Sequence, residues 1–140
     1  MNVAELQLKQ HLKSHGYSIT DARYTVFAAL EDKEALTMAE LVETCGASLD
    51  RATVYRTITL FEDLGIVTRI QIGWKFKLEL TDAFSNHHHH LTCTKCGSVT
   101  PLSEDTDLEE RLNELAVLYQ FKPQDHQIEI RGLCHGCQLF

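Results

Sequence analysis

The sequence predicts an α+β chain in two parts: a helical N-terminal half closed by a β-hairpin, and a smaller C-terminal half that mixes strands with one helix. Three observations predict it. Apolar residues recur at helical spacing in successive stretches before Gly65. From Trp74 to Leu80, apolar and charged residues alternate strictly, as in a strand with one buried face. Four of the five cysteines form two C-x-x-C pairs, Cys93/Cys96 and Cys134/Cys137, both in the second half.

Taken in order, Leu6, Leu8 and Leu12 mark a first helix that ends at Gly16. Thr20 is the predicted N-cap of a second, running through Val26, Phe27 and Leu30. A third opens at Thr37-Met38-Ala39-Glu40, a capping box in which Thr37 and Glu40 satisfy each other's N–H groups, and stops at Gly46. A fourth starts after Ser48 or Asp50, stops at Gly65, and turns Val54, Ile58 and Phe61 toward the core. Residues 66–72 read as a strand and Gly73 as a turn. In the second strand Trp74, Phe76, Leu78 and Leu80 face inward while Lys75, Lys77 and Glu79 face out. Helices followed by such a wing make a winged helix-turn-helix. The polar stretch 81–86 separates an N-terminal domain, 1–83, from a C-terminal one, 84–140. In the latter, residues 87–92 and 127–131 read as strands, and Leu108, Leu112, Leu115 and Tyr119 as the stripe of a helix. So small a domain needs support, from metal and from dimerisation.

Composition bounds the function. Of the 140 residues, 44% are hydrophobic and 24% charged, the balance of a folded soluble protein. No apolar run approaches the ~20 residues of a membrane span, and the start Met1-Asn2-Val3-Ala4-Glu5 is no secretory signal. A cytoplasmic location is expected, with no membrane and no organic cofactor as partner. The net charge of -7 counts against nucleic acid. Residues 1–83 carry 9 Lys/Arg against 12 Asp/Glu, and the rest 4 against 8. Any DNA binding must use a local cationic patch and be sensitive to salt.

Two C-x-x-C turns can converge four thiolates on one ion, the closed tetrahedral set of a structural zinc site, with Gly97 and Gly136 suiting the tight backbone. Cys45 stands apart and reads as a small buried hydrophobe. Just upstream, His87-His88-His89-His90 falls on an extended segment, so His87 and His89 share one face and His88 and His90 the other. One short strand thereby feeds two metal sites. Spacing alone does not complete them. Glu79, Glu109 and His126 are each open to a bland reading: a solvated carboxylate, the capping-box partner of Thr106, and a surface histidine.

With Val54, Ile58 and Phe61 inward, Arg51 and Tyr55 lie together on another face of the fourth helix, with Arg56 adjacent. Arginine clamps phosphate or contacts guanine, and a tyrosine ring packs on thymine methyls. Lys75 and Lys77 on the wing reach phosphates. An enzyme is not expected. A hydrolase H-E-x-x-H is absent, as is the deaminase H-x-E with P-C-x-x-C, and a cysteine quartet leaves no open coordination position.

At this point the chain resembles the ferric uptake regulator (Fur) family. His87-His88-His89-His90-x-x-Cys93-x-x-Cys96-Gly97 is similar to its H-H-[DH]-H-x-x-C-x-x-C-G signature. Ala52-Thr53-Val54-Tyr55-Arg56 is similar to its recognition-helix motif, and Cys134-x-x-Cys137 to its second knuckle. The resemblance runs over roughly residues 10 to 140. It implies a homodimer that binds a pseudo-palindromic, A·T-rich double-stranded operator and represses when its sensor metal is bound. It implies that Glu79, His88 and His90 form the regulatory site, and that His87, His89, Glu109 and His126 form a second site within the dimerisation domain. Most members have aspartate where His89 stands. It implies operator contacts by Tyr55 and Arg56, and gives Arg23 the place of the family's helix-two arginine.

Two departures bear on the sensor metal. Ala35 and Pro101 stand where many members have a histidine and a carboxylate ligand. Three ligands remain, with Asp82, Glu104, Asp105 or water for a fourth place and His11 or His15 in reserve. The set shifts toward tetrahedral zinc and away from six-coordinate iron(II) or manganese(II). The competing reading is a metal-dependent binding or zinc-buffering module that regulates no genes. The acidic charge favours it; the winged helix with Tyr55 and Arg56 does not.

Overall fold

The computed structural model describes residues 2–31 and 34–139, in the order α1 (Val3–Ser14), α2 (Asp21–Leu30), α3 (Met38–Cys45), α4 (Arg51–Asp63), β1 (Val67–Ile72), β2 (Lys75–Leu80), β3 (His88–Cys93), β4 (Val99–Ser103), α5 (Thr106–Leu118), β5 (Glu129–Gly132) and α6 (His135–Gln138). It divides into two compact units, one ending at Asn86 and the other beginning at His87. None of the helices among the described residues is long and apolar enough to cross a membrane.

In the N-terminal unit each helix starts where a side chain can accept an orphan N–H. Asn2 caps α1, Thr20 caps α2, Thr37 and Glu40 close both halves of a capping box on α3, and Asp50 caps α4. A short 3-10 turn, Gly46–Ser48, precedes that last cap. The buried stripes Leu8/Leu12, Val26/Phe27/Leu30, Leu41/Cys45 and Val54/Ile58/Phe61 meet in one apolar core, floored by Ile66, Val67, Leu78 and Leu80. Cys45 lies in that core as a small hydrophobe. Leu6, by contrast, is exposed: α1 has room for only a narrow buried face, and Leu8 and Leu12 fill it. β1 and β2 pair antiparallel from Val67↔Leu80 to Ile72↔Lys75, and Leu36 adds a bridge to Leu78. The division between the units falls at the end of the polar stretch 81–86. Phe84 turns back onto this core, edge-on to Phe27 with ring centroids 5.6 Å apart.

Trp74 departs from the alternation. It sits in the turn rather than in β2 and is 86% exposed, whereas Leu78 and Leu80 on the same face are buried. The hairpin runs past the edge of the core, so the apolar pattern outlasts the surface it would cover.

The C-terminal unit is a three-stranded sheet in the order β4-β3-β5, with β3 antiparallel to β4 and parallel to β5. β4 was not legible as a strand because Pro101 sits in its middle; a proline is tolerated there because β4 is an edge strand. Asp105, not Thr106, caps α5, accepting from the Leu108 amide at 3.2 Å. Glu109 is therefore one residue too far from the cap to close a capping box, and the Thr106 pairing does not form. Along the expected α5 stripe Leu108 and Leu112 are half-buried, but Leu115 and Tyr119 are exposed.

Candidate metal centres and nucleic-acid interface

The cysteine quartet is assembled by two local turns. Gly97, at φ +76, lets the chain fold back after β3, and the Gly97 amide donates to the Cys93 carbonyl at 3.0 Å. The second knuckle is instead the first turn of α6, where the Cys137 amide donates to the Cys134 carbonyl at 3.0 Å. Gly136 sits inside that helix at an ordinary φ, so the backbone does not require glycine there. The four sulfurs lie within 4.8 Å of one another, and Cys96 Sγ is 3.8 Å from Cys134 Sγ. Bonds of ~2.3 Å to a tetrahedral ion set sulfurs about 3.8 Å apart, so the donors fit a zinc ion.

Electrostatics points the same way. Backbone amides at Cys134, Cys96 and Lys95 favour the Cys93 thiolate and hold its pKa down to about 5. The Cys96 thiol is also lowered, chiefly by Ser98. Cys137 is pushed up to about 12 by Cys134, by burial and by the other two sulfurs. Four thiols this close cannot all ionise without a cation among them.

The sheet register presents the histidines as alternation requires. His88 pairs with Ser103, His89 with Leu102 and His90 with Pro101. His87 and His89 project to one side with ring centroids 4.7 Å apart, and His88 and His90 to the other at 4.8 Å. On the first side Glu109 reaches in from the first turn of α5. Its Oε1 lies 2.7 Å from His89 Nε2 and 3.2 Å from His87 Nε2, while its Oε2 contacts His126 Nε2. His87 Nε2 and His126 Nε2 are 3.1 Å apart. Burial works to raise the Glu109 pKa, but the His89 hydrogen bond and the charges of His126, His87 and His89 outweigh it, and the carboxyl lies below its ordinary range. Three imidazoles and a carboxylate meeting at one point suit a divalent cation. Glu109 and His126 thus converge on His87 and His89.

On the second side His90 is buried and His88 half-buried. Across the register from His90 stands Pro101, which has no donor to offer. Asp105 is engaged as the α5 cap. In the N-terminal unit Glu79 is half-buried and pairs with Thr68 across the hairpin. His11 Nε2 lies 2.6 Å from the Leu64 carbonyl and His15 Nδ1 2.9 Å from the His11 carbonyl, so both are occupied locally.

The nucleic-acid candidates collect on α4 and the hairpin of the N-terminal unit. With Val54, Ile58 and Phe61 buried, Tyr55 stands 45% exposed, and the Arg51 guanidinium lies 6.0 Å from its ring centroid. Arg56 is exposed, steadied by donation to Thr53 Oγ1 at 3.2 Å. Arg23 and Arg56 line a shallow groove of about 290 Å³ between α2 and α4. Arg23 also donates to the Ser18 carbonyl at 2.6 Å. On the wing Lys75 is exposed and Lys77 half-buried. Thr20, Thr53 and Thr57 also line the groove; of these Thr57 was not singled out from the sequence, since a threonine inside a helix carries no distinguishing pattern.

Comparison with known proteins adds to this geometry. A family model described as the ferric uptake regulator family matches residues 14–131. The chain is similar to the ferric uptake regulation protein of Bacillus subtilis, 35% identical over 94% of this chain and 92% of the relative. Its fold is similar to the Vibrio cholerae ferric uptake regulator, with a TM-score of 0.71 and 31% identity, covering 91% of this chain and 99% of the other. It is also similar in fold to the Helicobacter pylori ferric uptake regulator, with a TM-score of 0.79 and 23% identity, covering 98% and 95%.

Proposed function

The chain belongs to the ferric uptake regulator family of metal-dependent transcription regulators, and from that premise we propose that it is a cytoplasmic, homodimeric repressor whose sensor metal is zinc in preference to iron(II) or manganese(II). The observation that carries this reading is β3 itself. One strand sends alternate histidines to opposite faces and ends in the first cysteine knuckle.

Each donor set has its own role in the proposal. Cys93, Cys96, Cys134 and Cys137 hold a structural zinc that ties the two ends of the C-terminal unit together. His87, His89, Glu109 and His126 hold a second ion that fixes α5 and the segment before β5 against β3. Glu79, His88 and His90 hold the sensor ion. A divalent cation supplies a fixed link among these side chains and no chemistry on a substrate. The chain order supports the sensor assignment: Glu79 is the last residue but one of β2, the last strand before the linker, and the two histidines lie at the start of β3 just after it. The absence of a donor at Pro101 and Ala35 supports few-coordinate zinc. The exposed Val117, Leu118, Tyr119 and Phe121 around the end of α5 support dimerisation through the C-terminal unit. Two α4 helices held by a dimer then address successive major grooves of a pseudo-palindromic, A·T-rich operator through Arg51, Tyr55 and Arg56. Arg23, Lys75 and Lys77 hold the flanking phosphates.

The test is operator selection from a random duplex pool, followed by binding against a metal panel. Zinc is expected to activate at lower free concentration than iron(II) or manganese(II). Arg56→Ala is expected to weaken the selected operator by about 1–3 kcal/mol while leaving metal content unchanged. Zinc binding with no duplex selected under any metal favours the buffering module instead.

A further inference from the structure

Trp74 is the chain's single tryptophan, and nothing in the core or the metal sites uses it. A lone exposed apolar side chain is ordinary on a protein surface. The setting of this one is not. The register Ile72↔Lys75 leaves Gly73 and Trp74 as a two-residue loop. Gly73 is at φ +60, while Trp74 is not in the left-handed region, which is the pattern of a II′ hairpin turn. Gln71 braces it, its Nε2 donating to the Gly73 and Lys75 carbonyls at 3.0 Å each. The indole is therefore displayed by a fixed tip and not by a loose loop.

Charge gives the tip a direction. From Val67 to Leu78 there is no Asp or Glu, while Arg69, Lys75 and Lys77 lie in that span, in a chain whose net charge is -7. The Lys75 ammonium sits 4.9 Å from the indole centroid. An aromatic plate beside cations, on the same unit as Arg51, Tyr55 and Arg56, suits a polyanion with flat and apolar surfaces of its own.

We propose that Trp74 is a nucleic-acid contact at the wing tip, packing its indole on the deoxyribose and base edges of the groove wall while Lys75 takes the adjacent phosphate. This rests on α4 being the recognition helix. Deoxyribose rings line the groove wall at every nucleotide, so the contact raises affinity for specific and non-specific duplex alike. It releases no counterion, so its loss changes affinity without changing the salt dependence.

The full-length, zinc-loaded protein is titrated with two dye-labelled duplexes, one A·T-rich palindrome and one of mixed sequence. Dye anisotropy reports binding; tryptophan emission and acrylamide quenching report Trp74 in the same samples. Emission is expected to change, and acrylamide access to fall, along the anisotropy curve. Trp74→Ala is expected to weaken both duplexes by about tenfold at every salt concentration with the slope of log affinity against log salt unchanged. Trp74→Phe should retain most of the affinity, and Lys75→Ala should lower that slope by about one. Normal anisotropy with unchanged emission and full Trp74→Ala affinity overturns the inference and leaves the repressor reading intact. No anisotropy change with either duplex, together with an emission shift on anionic phospholipid vesicles, overturns both and makes the tip a membrane contact.

Discussion

Among the described residues, the apolar core cluster lies wholly in the N-terminal unit, from Leu8 to Leu80. The buried residues beyond Asn86 are Cys93, His89, His90, Thr92 and Glu109. One unit has the hydrocarbon interior expected of a small helical domain. The other has an interior of sulfur, imidazole and carboxylate, with Val117, Leu118, Tyr119, Phe121 and Leu139 left exposed. A unit of this size buries too little apolar area to offset its chain entropy. Ligand side chains in its centre offer an ion a set of donors, and the free energy of coordination becomes free energy of folding. The comparison teaches that two adjacent units of one chain can depend on different forces, and that they should therefore fail under different insults.

The largest effect should come from the quartet. Chelation, or Cys93→Ser or Cys134→Ser, is expected to unfold the C-terminal unit of the full-length protein while α1 to α4 keep slow amide exchange, read residue by residue by NMR. Loss of protection in both units at the same chelator concentration would break the comparison. Since Cys137 is pushed up to about 12, loading the quartet must displace at least one thiol proton, so zinc affinity should rise with pH through the neutral range.

The reciprocal insult is Phe61→Ala. Phe61 is fully buried among α4's core residues, and its truncation should cost about 3–5 kcal/mol in the N-terminal unit. Metal analysis and urea melting should find the quartet zinc retained. Zinc lost in step with the helices would show that the units are energetically one.

The smallest effect sharpens the comparison. His88→Ala and His90→Ala should keep the quartet zinc and the dimer but remove metal-induced duplex binding, a coupling of about 1–3 kcal/mol. In the parent protein that response should weaken with added acid, because protons compete with the metal for the imidazole nitrogens. If both variants respond like the parent, the sensor belongs to the His87, His89, Glu109 and His126 set.

The N-terminal unit was the more legible because its signals are local. Caps at Thr20 and Thr37, the stop at Gly46 and the stripe through Val54, Ile58 and Phe61 each involve residues within a few positions of one another, where periodicity is informative. The C-terminal unit joins distant residues. His89 and His126 converge on Glu109 from opposite sides of it in sequence, through a parallel β3–β5 pairing that no local pattern announces. Pro101 hid β4, since a proline argues against a strand until its place at a sheet edge is known.

The sequence by itself determined the pairing of the cysteines into two turns and the division of the histidines between the faces of β3, because cysteine spacing and strand alternation are properties of covalent geometry. It also determined the helical stripes of the winged helix and the arginine-tyrosine face of α4. Only the tertiary structure decided that Glu109 and His126 meet His87 and His89, that Phe84 belongs to the first core, and that Trp74 leaves the apolar face for the tip of the wing. Those outcomes depend on where one element ends relative to another, and neither burial nor convergence has a value until the chain has closed on itself.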